Sequence, residues 1–168
     1  LVARDRAGTI AFWDAPENVH KDGILHTSSV PADGEVAQQL PAARALARKI
    51  AEKLDYVGVF AIEFFCGPDG PVFNEMAPRV HNSGHWTIEG SVASQFENHI
   101  RAVAGLPLGS TALAGKTVVM TNLIGPDADR WAELAAEKGT HLHLYGKGEA
   151  RPGRKMGHLS ALGQTSAE

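Results

Sequence analysis

The sequence predicts an α+β fold, in which a largely antiparallel sheet packs with helices and a small β-rich domain follows. Two apolar segments, residues 57–65 and 71–76, flank a turn rich in glycine, proline and aspartate and indicate a β-hairpin. Apolar residues recur at helical spacing between Val36 and Leu54 and predict a helix over residues 34–53. Pro41 lies inside that segment, so the helix either kinks there or begins there.

The division into two domains depends on residues 106–115, which combine proline, glycine and serine. Such a composition is typical of a linker. Before it the chain carries the hairpin and the long helix, and after it strands predominate. We therefore predict a first domain at residues 1–108 and a second at residues 109–168.

The other elements follow from local patterns. The polar residues 16–23 predict a loop. The sequence Ser-Gln-Phe-Glu at residues 94–97 is a capping box that opens a helix, and we expect this helix to bury Phe96, Ile100 and Val103. The remaining predictions are strands at residues 1–4, 9–13, 24–30, 117–123, 141–145 and 157–162, and a helix at residues 129–138.

The composition is that of an ordinary globular protein, with 168 residues, 43% hydrophobic and 21% charged. The formal net charge of −3 provides no overall basic field, so we do not expect nucleic-acid binding. No apolar run reaches the length of a membrane span, and no signal-peptide pattern is visible. The single cysteine, Cys66, excludes an intramolecular disulfide and favours a reducing compartment, so we predict the cytoplasm.

Glu63 and Glu75 lie on the two strands of the predicted hairpin. Acids that meet across a hairpin repel each other, and Mg²⁺ is commonly bound by one or two carboxylates plus substrate phosphates. A plain two-residue turn, however, places Glu63 opposite Asn74 and sends Glu75 to the other face. A metal site therefore predicts a bulge or a longer loop in this hairpin. The alternative for Glu63 is a salt bridge to an arginine.

The loop after the hairpin concentrates polar side chains, namely Arg79, His81, Asn82, Ser83 and His85. Cations, amide and hydroxyl donors in one loop suit an oxyanion such as phosphate or carbonate. His81 and His85 also have the i, i+4 spacing of a zinc site. Such sites usually add a third protein ligand, and the proline and glycine of this loop interrupt a helix, so zinc is not favoured.

A second basic cluster occupies residues 147–155, which hold four cations between two predicted strands. A solvated basic turn is the common outcome of such a run, although its glycines and proline also suit a phosphate cradle. The chemistry of His20 alone gives it no role. His141 and His143 share one face of a strand, which we expect to be exposed.

Residues 74–87, with the sequence NEMAPRVHNSGHWT, closely resemble the signature of the 5-(carboxyamino)imidazole ribonucleotide synthases, which are ATP-grasp ligases of purine biosynthesis. Further matches lie at residues 17–24 (ENVHKDGI), 56–60 (YVGVF), 94–99 (SQFENH), 106–109 (LPLG) and 151–158 (RPGRKMGH). The resemblance covers nearly the whole chain but only the later portion of the family. It implies the carboxy-terminal half of an ATP-grasp domain followed by a small carboxy-terminal domain.

The resemblance further implies a reaction in which ATP activates bicarbonate as carboxyphosphate and the amine of 5-aminoimidazole ribonucleotide captures the carboxyl group. The cofactors would be ATP and Mg²⁺. Glu63 and Glu75 would hold the metal, Asn74 would assist Glu75, and His20 would contact ATP.

The same resemblance implies roles for the two polar clusters. Arg79, His81 and Asn82 would be the catalytic residues and would line the bicarbonate and imidazole site together with Ser83. Lys147 and Arg154 would bind the ribonucleotide phosphate, a more specific role than the charge run indicates.

The chain begins at Leu1 without methionine, so we expect a piece of a longer polypeptide, inactive without its amino-terminal part. The resemblance also implies a homodimer. Two alternatives stay open: a related formyl-transferring ATP-grasp ligase of the same pathway, and a non-catalytic module that binds ribonucleotide or a partner subunit.

Overall fold

Nine strands and four α-helices form the part of the chain that the computed structural model describes, residues 1–163. The strands are β1 (Val2–Arg4), β2 (Ile10–Phe12), β3 (Glu17–Lys21), β4 (Ile24–Val30), β5 (Gly58–Gly67), β6 (Gly70–Ala77), β7 (Thr117–Ile124), β8 (Thr140–Leu144) and β9 (Lys155–Gly163). The helices are α1 (Gly34–Lys53), α2 (Thr87–Gly90), α3 (Gln95–Ala104) and α4 (Trp131–Ala136), with 3₁₀ turns at Asn82–Gly84 and Gly125–Arg130.

The strands form two antiparallel sheets, which confirms the predicted α+β class. One sheet has the order β2-β1-β5-β6 and the other the order β3-β4-β7-β9-β8. In the second sheet β4 pairs with β7, so that Val30 lies opposite Val118. The division at residue 108 stays a prediction, and backbone pairing crosses that position.

The two sheets meet in a common core. Val59 of β5, Val118 and Met120 of β7, and Trp13 and Trp86 from the connecting segments are all buried in one cluster. Burial of these large side chains is the main favourable contribution to folding.

A second cluster packs α1 on the other face of the four-stranded sheet. Ala47 and Ala51 of the helix contact Val2 and Phe60, and the small alanines allow a close approach. Val59 and Phe60 are adjacent and both buried, so β5 is covered on both faces, as its apolar sequence predicts. The helix runs through Pro41, which excludes a start at that residue.

Two local predictions were wrong. Residues 17–21 form β3 rather than a loop, because a polar strand at a sheet edge needs no apolar alternation. Helix α3 leaves Phe96, Ile100 and Val103 at 39%, 62% and 38% exposure and buries Gln95, Asn98 and Ala102 instead. The predicted cap is present, since the Ser94 hydroxyl accepts from the N–H of Glu97 at 3.1 Å.

A cluster of histidines lies on the five-stranded sheet. His158 of β9 is 1% exposed, and its ring stacks on that of His143 with centroids 4.6 Å apart. His143 is half-buried and its Nε2 lies 2.6 Å from Glu89 Oε1, so the expectation of an exposed face fails for this residue and holds for His141. Burial and the imidazoles of His85 and His143 lower the pKa of His158 to about 3.

No helix in residues 1–163 is both long enough and apolar enough to cross a bilayer.

The low pKa of His158 makes stability depend on pH. The unfolded chain takes up a proton at this imidazole near pH 6.5, whereas the folded chain does so only near pH 3. The free energy of unfolding should therefore decrease as the pH is lowered through that interval, by up to about 1.4 kcal/mol per pH unit from this group. Urea unfolding at several pH values measures the slope.

The variant His158→Asn should show a shallower slope, and the matched control is His141→Asn, which changes an exposed histidine on the neighbouring strand. The quantity compared is the slope of the free energy of unfolding against pH, not the free energy itself. Equal slopes in the two variants would contradict the conclusion that His158 causes the pH dependence.

Candidate active site

The hairpin of β5 and β6 carries a β-bulge at the position where the site requires one. Phe64 lies opposite Phe73, but Glu63 lies opposite Glu75, so Asn74 is an extra residue on β6. The predicted irregularity is confirmed. Because of this single inserted residue, the two carboxylates face each other directly instead of pointing to opposite sides of the sheet.

His81 joins the two carboxylates. One ligand atom from each of Glu63, Glu75 and His81 lies within 4.8 Å of the others, and His81 Nδ1 is 3.8 Å from Glu63 Oε1. Within residues 1–163 neither glutamate pairs with a lysine or an arginine, so the salt-bridge alternative for Glu63 is not found. His85 is not part of this group, which leaves the zinc pairing of His81 with His85 without support.

The donor set suits a hard cation. Two carboxylates supply the oxygen atoms that Mg²⁺ prefers. The Nδ1 of His81 is already engaged by the hydroxyl of Ser83 at 2.8 Å. The glutamates are therefore the side chains that would suit Mg²⁺, and His81 lies beside them.

A cavity of about 350 Å³ lies between α1 and β5, a volume within the range of small-molecule sites. Its lining includes Glu63, Asn74, Ser83 and His20. His20, Asn74 and Ser83, which were predicted to bind cofactor or substrate, therefore line the cavity. Glu63 belongs both to this lining and to the group with Glu75 and His81.

The loop residues are held in different ways. Asn82 exchanges two side-chain hydrogen bonds with Asn122 of β7, at 2.9 and 2.7 Å, and Asn122 also donates to the carbonyl of Leu25 at 2.9 Å. Ser83 is buried, whereas Arg79 is exposed and donates to the adjacent carbonyl of Val80 at 2.9 Å. The loop is thus anchored to the second sheet while its arginine faces solvent.

Lys155, to which sequence reasoning gave no individual role, is the first residue of β9. Burial lowers its pKa, the negative charges of Glu63 and Glu75 oppose that shift, and Lys147 reinforces it. The sequence of residues 147–155 alone does not indicate which of its four cations interacts with Glu63 and Glu75.

The predicted phosphate-binding pair lies on the exposed turn. Lys147 Nζ is 5.2 Å from the ring centroid of Tyr145, and Arg154 Nη1 is 3.5 Å from the carbonyl of Glu149. Arg151 pairs with the carboxylate of Glu149 at 3.4 Å. Arg154 forms no ion pair within the described residues, so its charge is available to an anion.

The surroundings of His81 favour its neutral imidazole. Burial is the main reason that the pKa of His81 lies below its usual 6.5, and Arg79 and Lys155 lower it further while Glu63 and Glu75 oppose them. His81 is therefore uncharged at pH 7 and able to accept a proton.

Comparisons with known proteins show which family the chain is similar to. The family model described as the ATP-grasp domain matches residues 1–96, and the one described as the phosphoribosylaminoimidazole carboxylase C-terminal domain matches residues 118–168. The N5-carboxyaminoimidazole ribonucleotide synthase of Brucella melitensis is 56% identical over 96% of the chain and 44% of that protein. The synthase of Vibrio vulnificus strain YJ016 is 46% identical over 99% of the chain and 42% of that protein.

Solved structures show the same similarity. The crystal structure of the synthetase from Thermus thermophilus has a TM-score of 0.88 and 51% identity, covering 98% of this chain and 45% of that one. The Aspergillus clavatus synthase in complex with ADP and 5-aminoimidazole ribonucleotide has a TM-score of 0.89 and 34% identity, covering 98% and 46%.

The chain spans less than half the length of the curated relatives above. It belongs to the ATP-grasp family, and over nearly its whole length it is similar to the carboxy-terminal portion of the N5-carboxyaminoimidazole ribonucleotide synthases.

Proposed function

We propose that the chain supplies the carboxy-terminal part of an ATP-dependent ligase that carboxylates 5-aminoimidazole ribonucleotide with bicarbonate. The products are 5-(carboxyamino)imidazole ribonucleotide, ADP and phosphate, in de novo purine biosynthesis. The observation that carries this proposal is the bulged register, which brings Glu63 and Glu75 face to face beside His81 and the cavity. The similarity to the synthases supports the choice of substrate.

The nucleotide would occupy the cavity lined by His20 and Asn74, with its phosphates toward Glu63 and Glu75. The two carboxylates would hold Mg²⁺, which when bound neutralises charge on the phosphates during phosphoryl transfer. Asn74 would contribute an amide at the same edge. The β-bulge thus serves both the metal ligands and the nucleotide.

Bicarbonate and the imidazole would lie against Arg79, His81, Asn82 and Ser83. Arg79 offers a positive charge to an oxyanion, and the amide of Asn82 is fixed by Asn122. When the amine attacks the carboxyl carbon it must lose a proton, and the neutral imidazole of His81 can accept one. Lys147 and Arg154 would bind the ribonucleotide phosphate.

The amino-terminal part of the polypeptide would complete the nucleotide site, so we propose that residues 1–168 alone are inactive. The homodimer and the cytoplasmic location implied by the resemblance belong to the same proposal.

An assay of ADP release tests the function directly. The full-length protein that contains this chain should release ADP only when ATP, bicarbonate and 5-aminoimidazole ribonucleotide are all present, and the 168-residue chain should release none. ADP release that is independent of bicarbonate would refute the carboxylation. Turnover by the isolated chain would refute the need for the amino-terminal part.

Changing Glu75→Ala in the full-length protein should reduce ATP cleavage by on the order of 100-fold or more, because one of the two metal ligands is lost. Folding should be little affected, since a repelling pair is relieved. The control is Asp69→Ala, which removes an exposed acid at the tip of the same hairpin. Unchanged turnover in Glu75→Ala, measured with saturating Mg²⁺, excludes the metal role.

Changing Arg154→Ala should raise the KM for the ribonucleotide roughly 10-fold or more and leave kcat nearly unchanged, because a charge-assisted contact with the phosphate is lost. Arg151→Ala is the matched control, since Arg151 lies in the same turn and is paired with Glu149. Steady-state kinetics with varied ribonucleotide give both parameters. Equal KM values in the two variants would count against a phosphate site at Arg154.

A further inference from the structure

Gln95 is a fully buried polar residue at the first position of α3, in contact with the loop that carries the candidate catalytic residues. Its Oε1 accepts a hydrogen bond from the backbone N–H of His81 at 2.9 Å, and its Nε2 donates to the His81 carbonyl at 2.8 Å. The Nε2 also lies 3.0 Å from Nδ1 of His85. One amide therefore contacts two histidines of the loop.

The loop backbone packs closely against this amide. A β-carbon at Gly84 would lie 2.6 Å from Oε1 and 2.9 Å from Cδ of Gln95, so the position requires glycine. The backbone N–H of Gln95 donates to Thr87 Oγ1 at 3.0 Å, and that hydroxyl donates to the carbonyl of Gly84 at 2.6 Å. The start of α3 and the loop thus form one hydrogen-bonded unit.

Glutamine is suited to these partners by its chemistry. Its amide provides two N–H donors and one acceptor oxygen, and all three functions are used. An ionised glutamate offers no donor, and a methionine of similar length offers neither a donor nor a strong acceptor. Either replacement leaves at least one backbone group of His81, in a partly buried position, without its partner, which is costly.

We propose that Gln95 is a positioning residue of the active site, which holds the backbone of His81 so that its imidazole lies beside Glu63 and Glu75. The proposal rests on the function proposed above, because it concerns the same site. Gln95 touches the backbone of a catalytic residue and not the substrate. Its loss should displace His81, and displacements of about 1 Å can reduce rates on the order of 100-fold.

The contact of Gln95 with His85 determines which nitrogen of the His85 ring carries the proton. Because Nε2 of Gln95 is a donor, Nδ1 of His85 must accept, and the proton of the neutral ring is then on Nε2. Burial and the nearby charges of His81, His143 and Lys155 lower the pKa of His85 to about 4, which agrees with a neutral ring. The rings of His158 and Tyr145 lie 5.2 and 6.1 Å away.

Asn98 provides a matched control on the same helix. It is also fully buried, and it exchanges two hydrogen bonds with the backbone of a single residue, Gly109, at 3.1 and 2.7 Å. It therefore has the same kind of partners as Gln95 but stabilises the segment after α3 rather than the catalytic loop.

The experiment compares Gln95→Met and Asn98→Leu in the full-length protein. Both variants should lower the melting temperature. Gln95→Met should reduce kcat on the order of 100-fold with little change in the KM for ATP, whereas Asn98→Leu should keep kcat within roughly threefold of the unmodified protein. Equal losses of kcat in the two variants, or an unchanged kcat in Gln95→Met, would overturn the proposal.

Nitrogen-15 NMR of the histidine side chains gives a readout that does not depend on turnover. The unmodified protein and Asn98→Leu should show His85 as the single tautomer with a non-protonated Nδ1, and Gln95→Met should show a mixture. If the unmodified protein lacks bicarbonate-dependent ADP release, the proposed function fails. The histidine spectra of the variants still test the role of Gln95 in that case. The nitrogen-15 shifts of His81 should also change in Gln95→Met and not in Asn98→Leu. His81 shifts that are unchanged in Gln95→Met would refute the positioning role.

Discussion

The candidate site depends on two like charges being held opposite each other. Glu63 and Glu75 meet because one residue, Asn74, is inserted in β6. Without it, Glu75 would point to the other face of the sheet and the carboxylates could not share a ligand. A fold tolerates such a pair when positive charge lies near, and Lys155 supplies part of it. A divalent cation would balance the remaining negative charge. The repulsion between the two carboxylates would then be relieved when the metal binds, which favours binding.

The loop after the hairpin is held by buried amides on two sides. Asn122 binds Asn82 from the five-stranded sheet, and Gln95 binds His81 from α3. These contacts replace the apolar packing that helix α3 was expected to provide. Satisfied buried polar networks favour one arrangement over its alternatives, which is the property a site of several functional groups needs. The polar inner face of α3 is therefore part of the site's architecture.

The sequence was sufficient for features governed by local periodicity. A plain two-residue turn would place Glu63 and Glu75 on opposite faces, so a shared metal predicted a bulge or a longer loop, and the structure has the bulge. The sequence was not sufficient where the surroundings of a side chain are formed by segments distant in the chain. The polar strand β3 has no apolar pattern and is defined by pairing with β4. The orientation of α3 and the position of Lys155 likewise depend on contacts between segments far apart in the chain.

The irregularities of the sheets share one property. The registers of the described strand pairs shift at three places: at His20 in the pairing of β3 with β4, at Glu63 in that of β5 with β6, and at Lys155 in that of β7 with β9. In each case the shift adjoins a group of the candidate site. A bulge turns a side chain away from the direction that a regular strand would give it, and it costs pairing energy. Bulges are over-represented beside active sites, and the effect of the one at Glu63 is direct, because it brings Glu75 to the same face of the sheet.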